Sequence, residues 1–174
     1  MPAGIMAGRA RIERDTHQPI SIQAVIAMTG SSQRTWWPRI EDGTIRKLES
    51  DARGRAMVAL RDVLKLADCG VPPDDLVLLL KADAGDAEAQ ADIGEMFIST
   101  GRPAAGRYWL ELAAEQGHPN AMQCLAHCYL SGAGVPTDED MALRWLADAA
   151  VRGHVIASAQ MRALRAALLL KLVG

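Results

Sequence analysis

Aromatic side chains are scarce in this sequence: four Trp, two Tyr and one Phe among 174 residues. Sheets draw on aromatic and β-branched residues, so this shortage points away from a sheet-dominated fold. Cysteine is equally sparse. Three residues, Cys69, Cys124 and Cys128, make no disulfide framework, and their odd number suits a reducing compartment. Long apolar runs are missing too. The longest, Leu76–Leu80 and Ala166–Leu170, fall well short of the ~20 residues that span a bilayer, and Met1–Asp15 has no apolar stretch of signal-peptide length. The expectation is a cytoplasmic chain that makes no membrane contact. Also absent are a Gly-rich phosphate loop ahead of a helix, a nucleophile elbow and a His-Glu-x-x-His helix. No residue acquires a catalytic role, so the reading is a non-enzyme without cofactor.

Ala and Leu are abundant, hydrophobic residues make up 49% and charged residues 23%. That composition supports a packed core built from closely approaching helices. The net charge of −2 hides an asymmetry. Residues 1–70 hold 11 basic and 8 acidic side chains, whereas residues 71–174 hold 8 and 13. A basic front and an acidic back imply two modules with different partners.

The back repeats itself. Ala89, Ile93, Gly94 and Phe97 recur 32 residues later as Ala121, Leu125, Ala126 and Tyr129. Trp109, Ala113, Ala114 and Gly117 recur 36 residues later as Trp145, Ala149, Ala150 and Gly153. The slip of four arises because Ser131–Pro136 replaces the shorter link Thr100–Pro103. Spacings of four and eight place Ala121, Leu125 and Tyr129 on one helical face, so each repeat reads as two helices. Thr137 is positioned to cap the helix that carries Trp145, with Asp138, Glu139 and Asp140 favoured in its first turn by the helix dipole. Gly117 and Gly153 stand where a helix ends in a left-handed residue.

The run from Ala121 through Leu125-Ala126, Tyr129, Gly132-x-Gly134-Val135, Trp145 and Ala149-Ala150 to Gly153 resembles the SEL-one-like repeat, a relative of the tetratricopeptide repeat. The resemblance covers roughly residues 75–173. The segment Leu76–Ala84 reads as the second half of an earlier repeat, and Ala157–Leu172 as a first half that has become a terminal helix. The resemblance implies a curved helical stack that scaffolds protein complexes. Leu164, Leu168, Leu169, Leu170, Leu172 and Val173 cover more than one stripe of the last helix, which suggests a cap or a homodimer face, the dimer being preferred.

The front follows another pattern. Ser21 is placed as an N-cap, with Ile20 and Val25 as a hydrophobic staple, and that helix ends at Thr29-Gly30. A second runs from Ser31-Ser32 to Asp42-Gly43. Thr44–Leu48 alternates, Glu49–Gly54 turns, Arg55–Val58 returns as a strand, and Leu60, Val63, Leu64 and Ala67 have helical spacing. Gly30 to Trp36 followed by Gly43, with Val58 to Leu64 after it, resembles the small winged helix-turn-helix domains of MerR-type regulators and phage excisionases, over about 48 residues. That resemblance implies double-stranded DNA as partner. It turns Trp36 and Ile40 into the core, sets Ser32, Gln33, Arg34, Trp37 and Arg39 toward the major groove, and lays Arg46, Lys47, Arg53 and Arg55 on the wing near phosphates. Trp37-Pro38-Arg39 departs from the resembled pattern, and a proline inside a helix kinks it. Asp42, Glu49 and Asp51 dilute the basic face.

Cys124, His127 and Cys128 lie near one another on one expected helix, but no second ligand pair has zinc spacing, so they read as small core positions and no metal is expected. His118 and His154 occupy equivalent places after Gly117 and Gly153. The whole is read as mostly α: an N-terminal segment 1–17 that is flexible, a winged helix-turn-helix at 18–70, a short linker with Pro72-Pro73, and an α-solenoid at 75–174. The leading functional expectation is a DNA-binding regulator whose solenoid docks a protein partner or second subunit. The alternative is a DNA-independent adaptor that uses both modules on proteins.

Overall fold

The computed structural model describes residues 18–173, with side-chain surroundings through residue 167 and at residue 169. The expected flexible segment 1–17 lies outside the described residues, as do the side chains of Leu168, Leu170, Leu172 and Val173. The chain divides into two compact units, Met1–Gly85 and Asp86–Gly174.

The first unit runs β1 (Pro19–Ser21), α1 (Ile22–Thr29), α2 (Gln33–Glu41), β2 (Lys47–Leu48), β3 (Met57–Ala59), α3 (Leu60–Leu66), a 3-10 turn (Pro73–Asp75) and α4 (Leu76–Ala84). Ser21 caps α1, its Oγ accepting from the Ala24 N–H at 3.2 Å. Ile20 and Val25, the two ends of the expected staple, are both fully buried. In α2 the Trp36 ring is buried and its Nε1 donates to Thr29 Oγ1 at 3.3 Å, which ties α2 to the end of α1. Ile40 is only half-buried. Pro38 lies inside α2, yet the helix continues to Glu41. Pro38 is exposed, so the carbonyl it deprives of a partner is on the solvated side of a short helix, where water can serve it.

One strand escaped the sequence reading. β1 pairs antiparallel with β3, Ile20 opposite Val58, and β3 pairs antiparallel with β2, Lys47 opposite Val58, giving the order β1-β3-β2. Three residues are too few to show alternation, and the pairing partner lies almost forty positions away in sequence. Ile20 and Val58 are both fully buried, so this central pair anchors the small sheet.

The unit boundary differs from the expected one. Helix α4 was assigned to the solenoid, but it belongs to the first unit, and the division falls at Gly85. A buried carboxylate accounts for this. Asp83 of α4 accepts the Ser21 N–H at 2.8 Å, the Ser21 O–H at 2.6 Å and the Arg55 Nη1 at 2.7 Å. Arg55 in turn donates from Nε to Asp51 Oδ2 at 2.7 Å. Three hydrogen bonds thus satisfy an ion that is only 4% exposed, joining α4 to β1 and to the segment before β3. Removing one partner of such a pair typically costs about 3–5 kcal/mol, because the other charge stays buried.

The second unit holds α5 (Ala87–Ser99), α6 (Pro103–Glu115), α7 (Pro119–Ser131), α8 (Glu139–Val151) and α9 (Val155–Val173). Helices α5 and α6 pair, and so do α7 and α8. Their close approach is set by small residues. A Cβ at Gly106 would lie 2.7 Å from the Gly94 carbonyl oxygen, and one at Gly94 would lie 2.7 Å from Leu110 Cγ. Ala126 and Ala142, both 2% exposed, take the equivalent places in the second pair. Trp109, Phe97, Leu110 and Leu125 are fully buried, each contributing roughly 1.5–3 kcal/mol by leaving water. Helix α8 is capped by Asp138, whose Oδ1 accepts from the Met141 N–H at 2.9 Å. The expected cap, Thr137, stands one residue too early, while Glu139 and Asp140 do occupy the first turn. Among the described residues no helix is long and apolar enough to cross a membrane.

Candidate partner-docking surface

The repeat unit is stitched along its first helices, α5, α7 and α9, by residues at the junctions. Gly117 and Gly153 end α6 and α8 in the left-handed region, at φ +86° and +87°. The residue after each is a histidine that caps the next helix. His118 Nδ1 accepts from the Ala121 N–H at 3.3 Å, and His154 Nδ1 accepts from the Ala157 N–H at 3.1 Å. Asp86 does the same for α5 through Ala89, at 2.8 Å. Each histidine then reaches back with Nε2 to the helix before it. His118 meets Glu88 Oε2 at 2.9 Å and His154 meets Asn120 Oδ1 at 3.4 Å. Glu88 and Asn120 are themselves equivalent, 32 residues apart. One side chain therefore caps its own helix and fixes the register of the previous one, with an imidazole that accepts at Nδ1 and donates at Nε2.

Beside this ladder, α5 and α7 enclose a groove of about 420 Å³ lined by Glu95, Ile98, Ser99, Gln123, Cys124, His127 and Cys128. Ile98, Cys124 and Cys128 give it an apolar floor. Glu95 puts a carboxylate on its lining, and Glu88 and Asp92 precede it on the same face of α5 by their spacing of four and three. Glu95 accepts from Asn120 Nδ2 and, at 3.4 Å, from Cys124 Sγ. Desolvation and the neighbouring Glu88 and Glu95 carboxylates raise the Asp92 carboxyl above its ordinary range. Glu88, Asp92 and Glu95 concentrate negative charge on this face of α5, with the His118 ring against Glu88. Burial, together with Glu95, pushes the Cys124 thiol up to about 12, so Cys124 is a neutral thiol that contributes apolar surface and a weak hydrogen bond, not a nucleophile. Among the described residues no group of three or more His, Cys, Asp or Glu side chains is arranged to hold a metal ion.

The residues expected at DNA lie in the first unit. Ser32 is the N-cap residue of α2, with Oγ 3.4 Å from Thr35 Oγ1. Gln33 and Arg34 are exposed on α2, and Trp37 is half-buried. Arg39 lies over the Trp36 ring, 5.2 Å from its centroid. Arg46 and Lys47 are exposed. Arg53 donates to the Ala84 carbonyl at 3.0 Å, at the end of α4. Arg55 is committed to Asp51 and Asp83. Burial opposes its charge, but hydrogen bonds and the two carboxylates hold the guanidinium pKa above its ordinary value. The expected surface thus separates into exposed groups around α2 and β2 and two arginines that serve the fold.

The groove itself was missed in the sequence. Its signal was present as the Glu88, Asp92, Glu95 spacing and the paired His118 and His154, but nothing local says that two first helices leave a channel between them.

The Sel1 repeat family matches residues 87–118 and 119–154. The limits of the two matched segments coincide with the α5–α6 and α7–α8 pairs and their following histidines. A crystal structure of a Sel1 repeat protein from Oxalobacter formigenes is similar over 92% of this chain and 98% of that one, at 21% identity and a TM-score of 0.47. No curated protein matches the sequence.

Proposed function

We propose that this protein is a non-catalytic adaptor whose Sel1 repeats dock a protein partner in the groove between α5 and α7. The observation that carries the reading is the groove itself: an apolar floor at Ile98, Cys124 and Cys128 with Glu95 on its lining, next to Glu88 and Asp92 on the same face of α5 by sequence spacing. Such a channel suits an extended or helical segment with Lys or Arg side chains flanking apolar ones. The stacked repeats hold that surface rigid, which limits the entropy lost on binding.

The test is fluorescence anisotropy with a labelled peptide of about ten residues rich in Lys and Leu. The Glu88→Gln/Asp92→Asn/Glu95→Gln chain should bind about tenfold more weakly. A Glu139→Gln/Asp140→Asn chain, altered at acids outside the groove lining, should stay within about twofold. Binding should also strengthen as pH rises through the titration of Asp92, because a cation favours the carboxylate whose neighbours now disfavour it. Equal losses in the two chains would mean diffuse charge attraction and would sink the docking reading.

A second reading, that the first unit is a winged helix-turn-helix that contacts double-stranded DNA, draws on the exposure of Gln33 and Arg34 on α2 and of Arg46 and Lys47 near β2. Its test is salt-dependent binding to a mixed-sequence duplex, compared with an Arg34→Ala/Arg46→Ala/Lys47→Ala chain that leaves Arg55 in place. Wild-type binding that weakens steeply with salt and is lost in the variant supports this reading. A folded wild type with no salt-dependent binding removes it.

A further inference from the structure

Helix α9 occupies the place of a repeat's first helix. Its start follows a Gly-His junction as α7 does, and Ala157, fully buried, is equivalent to Ala89 and Ala121. Further along, the pattern breaks. Where Gly94 and Ala126 let a second helix approach, α9 has Arg162, and where Phe97 and Tyr129 fill the space between helices it has Arg165. Both arginines are exposed. Alongside them α8 and α9 form a groove of about 540 Å³ lined by Leu143, Met161, Arg162, Leu164 and Arg165. Leu143 and Leu164 are 43% and 47% exposed. Among the described residues, no second helix covers this groove.

The two complete repeats show what fits such a space. In each, a second helix lies against the first, with Gly106 and Leu110 facing Gly94 and, equivalently, Ala142 and Leu146 facing Ala126. Arg162 holds a helix laid against α9 farther off than Gly94 and Ala126 allow in the two repeats, and faces that helix's Ala142-equivalent position across the wider gap. A small residue there leaves the guanidinium unpaired, and a basic one repels it, whereas Glu or Asp meets it. We propose that the α8–α9 groove receives an amphipathic helix from a protein partner, lying along α9 on the side a second helix would take but at wider spacing, and carrying a carboxylate that pairs with Arg162 or Arg165. This surface is separate from the α5–α7 groove and opposite in charge, so it stands or falls independently of that reading.

The experiment uses the full chain and three capped, fluorescein-labelled peptides with the sequence of residues 137–152, which includes the second helix α8. One keeps Ala142, one carries Ala142→Glu and one Ala142→Lys. The Glu peptide is expected to bind about tenfold more tightly than the Lys peptide. That preference should vanish on the Arg162→Ala/Arg165→Ala chain and invert on Arg162→Glu. Because both arginines are exposed, these variants should keep the wild-type helical circular dichroism and melting temperature, which are measured alongside. Equal binding of all three peptides, no binding by any, or a preference indifferent to Arg162 and Arg165 would overturn the proposal. So would light scattering that shows a dimer of the chain dissociated by Leu164→Asp, since a second copy would then occupy the groove.

Discussion

The two units reach stability by opposite routes. In the first, the decisive contacts are distant in sequence: β1 to β3, and Asp83 to Ser21 and Arg55 across 62 and 28 positions. In the second, each helix packs mainly on the next, and the same few contacts recur with a period of 32 or 36 residues. Stability in such a repeat array is close to a sum of repeat and neighbour terms, so damage stays local. In the first unit one buried charge holds three segments, and damage spreads. Charge is also used differently. The first unit spends Arg53 and Arg55 on its own carbonyl and carboxylates, while the second gathers Glu88, Asp92 and Glu95 on one face of α5 beside a groove.

This contrast can be broken most forcefully at Asp83. Asp83→Ala should destabilise the first unit by about 1–3 kcal/mol for each Ser21 donor left without its acceptor, the N–H and the O–H, while Arg55 keeps Asp51, and Asp83→Asn should cost less. Hydrogen exchange should rise through β1, β3 and α4 and leave α5–α8 protected. A general loss of protection in both units would show that damage at Asp83 does not stay within the first.

The next effect is Gly106→Ala. Its Cβ would strike the Gly94 carbonyl, which belongs to backbone and cannot swing away. The expected cost is about 1–3 kcal/mol, partly offset by up to ~1 kcal/mol of better helix propensity. Ala142→Gly, the reciprocal change in the second repeat, should cost only about 0.5–1 kcal/mol. Chemical denaturation of the two variants ranks them, and a reversed order would show that the small residues do not set the helix approach.

The smallest effect is at the junctions. His118→Ala should cost about 1 kcal/mol by uncapping α7, with exchange rising first at Ala121 and Met122. His118→Asp, which copies Asp86, should recover most of that loss. No change in either variant would make the histidine ladder incidental.

Legibility in the sequence followed the same divide. The paired helices, the glycine ends of α6 and α8 and the equivalence of His118 and His154 were readable because periodicity announces them. The cap at Asp138 was misplaced by one residue because Thr137 and Asp138 are both good caps, and only the backbone shows which one the Met141 N–H meets. In the first unit the helices flanking Gly30 could be read from Ser21 and from the spacing of apolar residues. β1 could not, nor could the allegiance of α4, since a run such as Leu76–Leu80 looks the same whichever core it joins. Arg53 and Arg55 looked like free cations for a related reason: a sequence gives the charge of a side chain but not the carboxylate or carbonyl it has already found.

The α5–α7 groove is the proposed docking surface. Hydrogen exchange of the full chain, with and without the Lys- and Leu-rich peptide, examines it directly. Added protection should appear in α5 and α7 and be absent from α2, and the Glu88→Gln/Asp92→Asn/Glu95→Gln chain should show none. Protection confined to α2, or none in α5 and α7 while the peptide is bound, would contradict it.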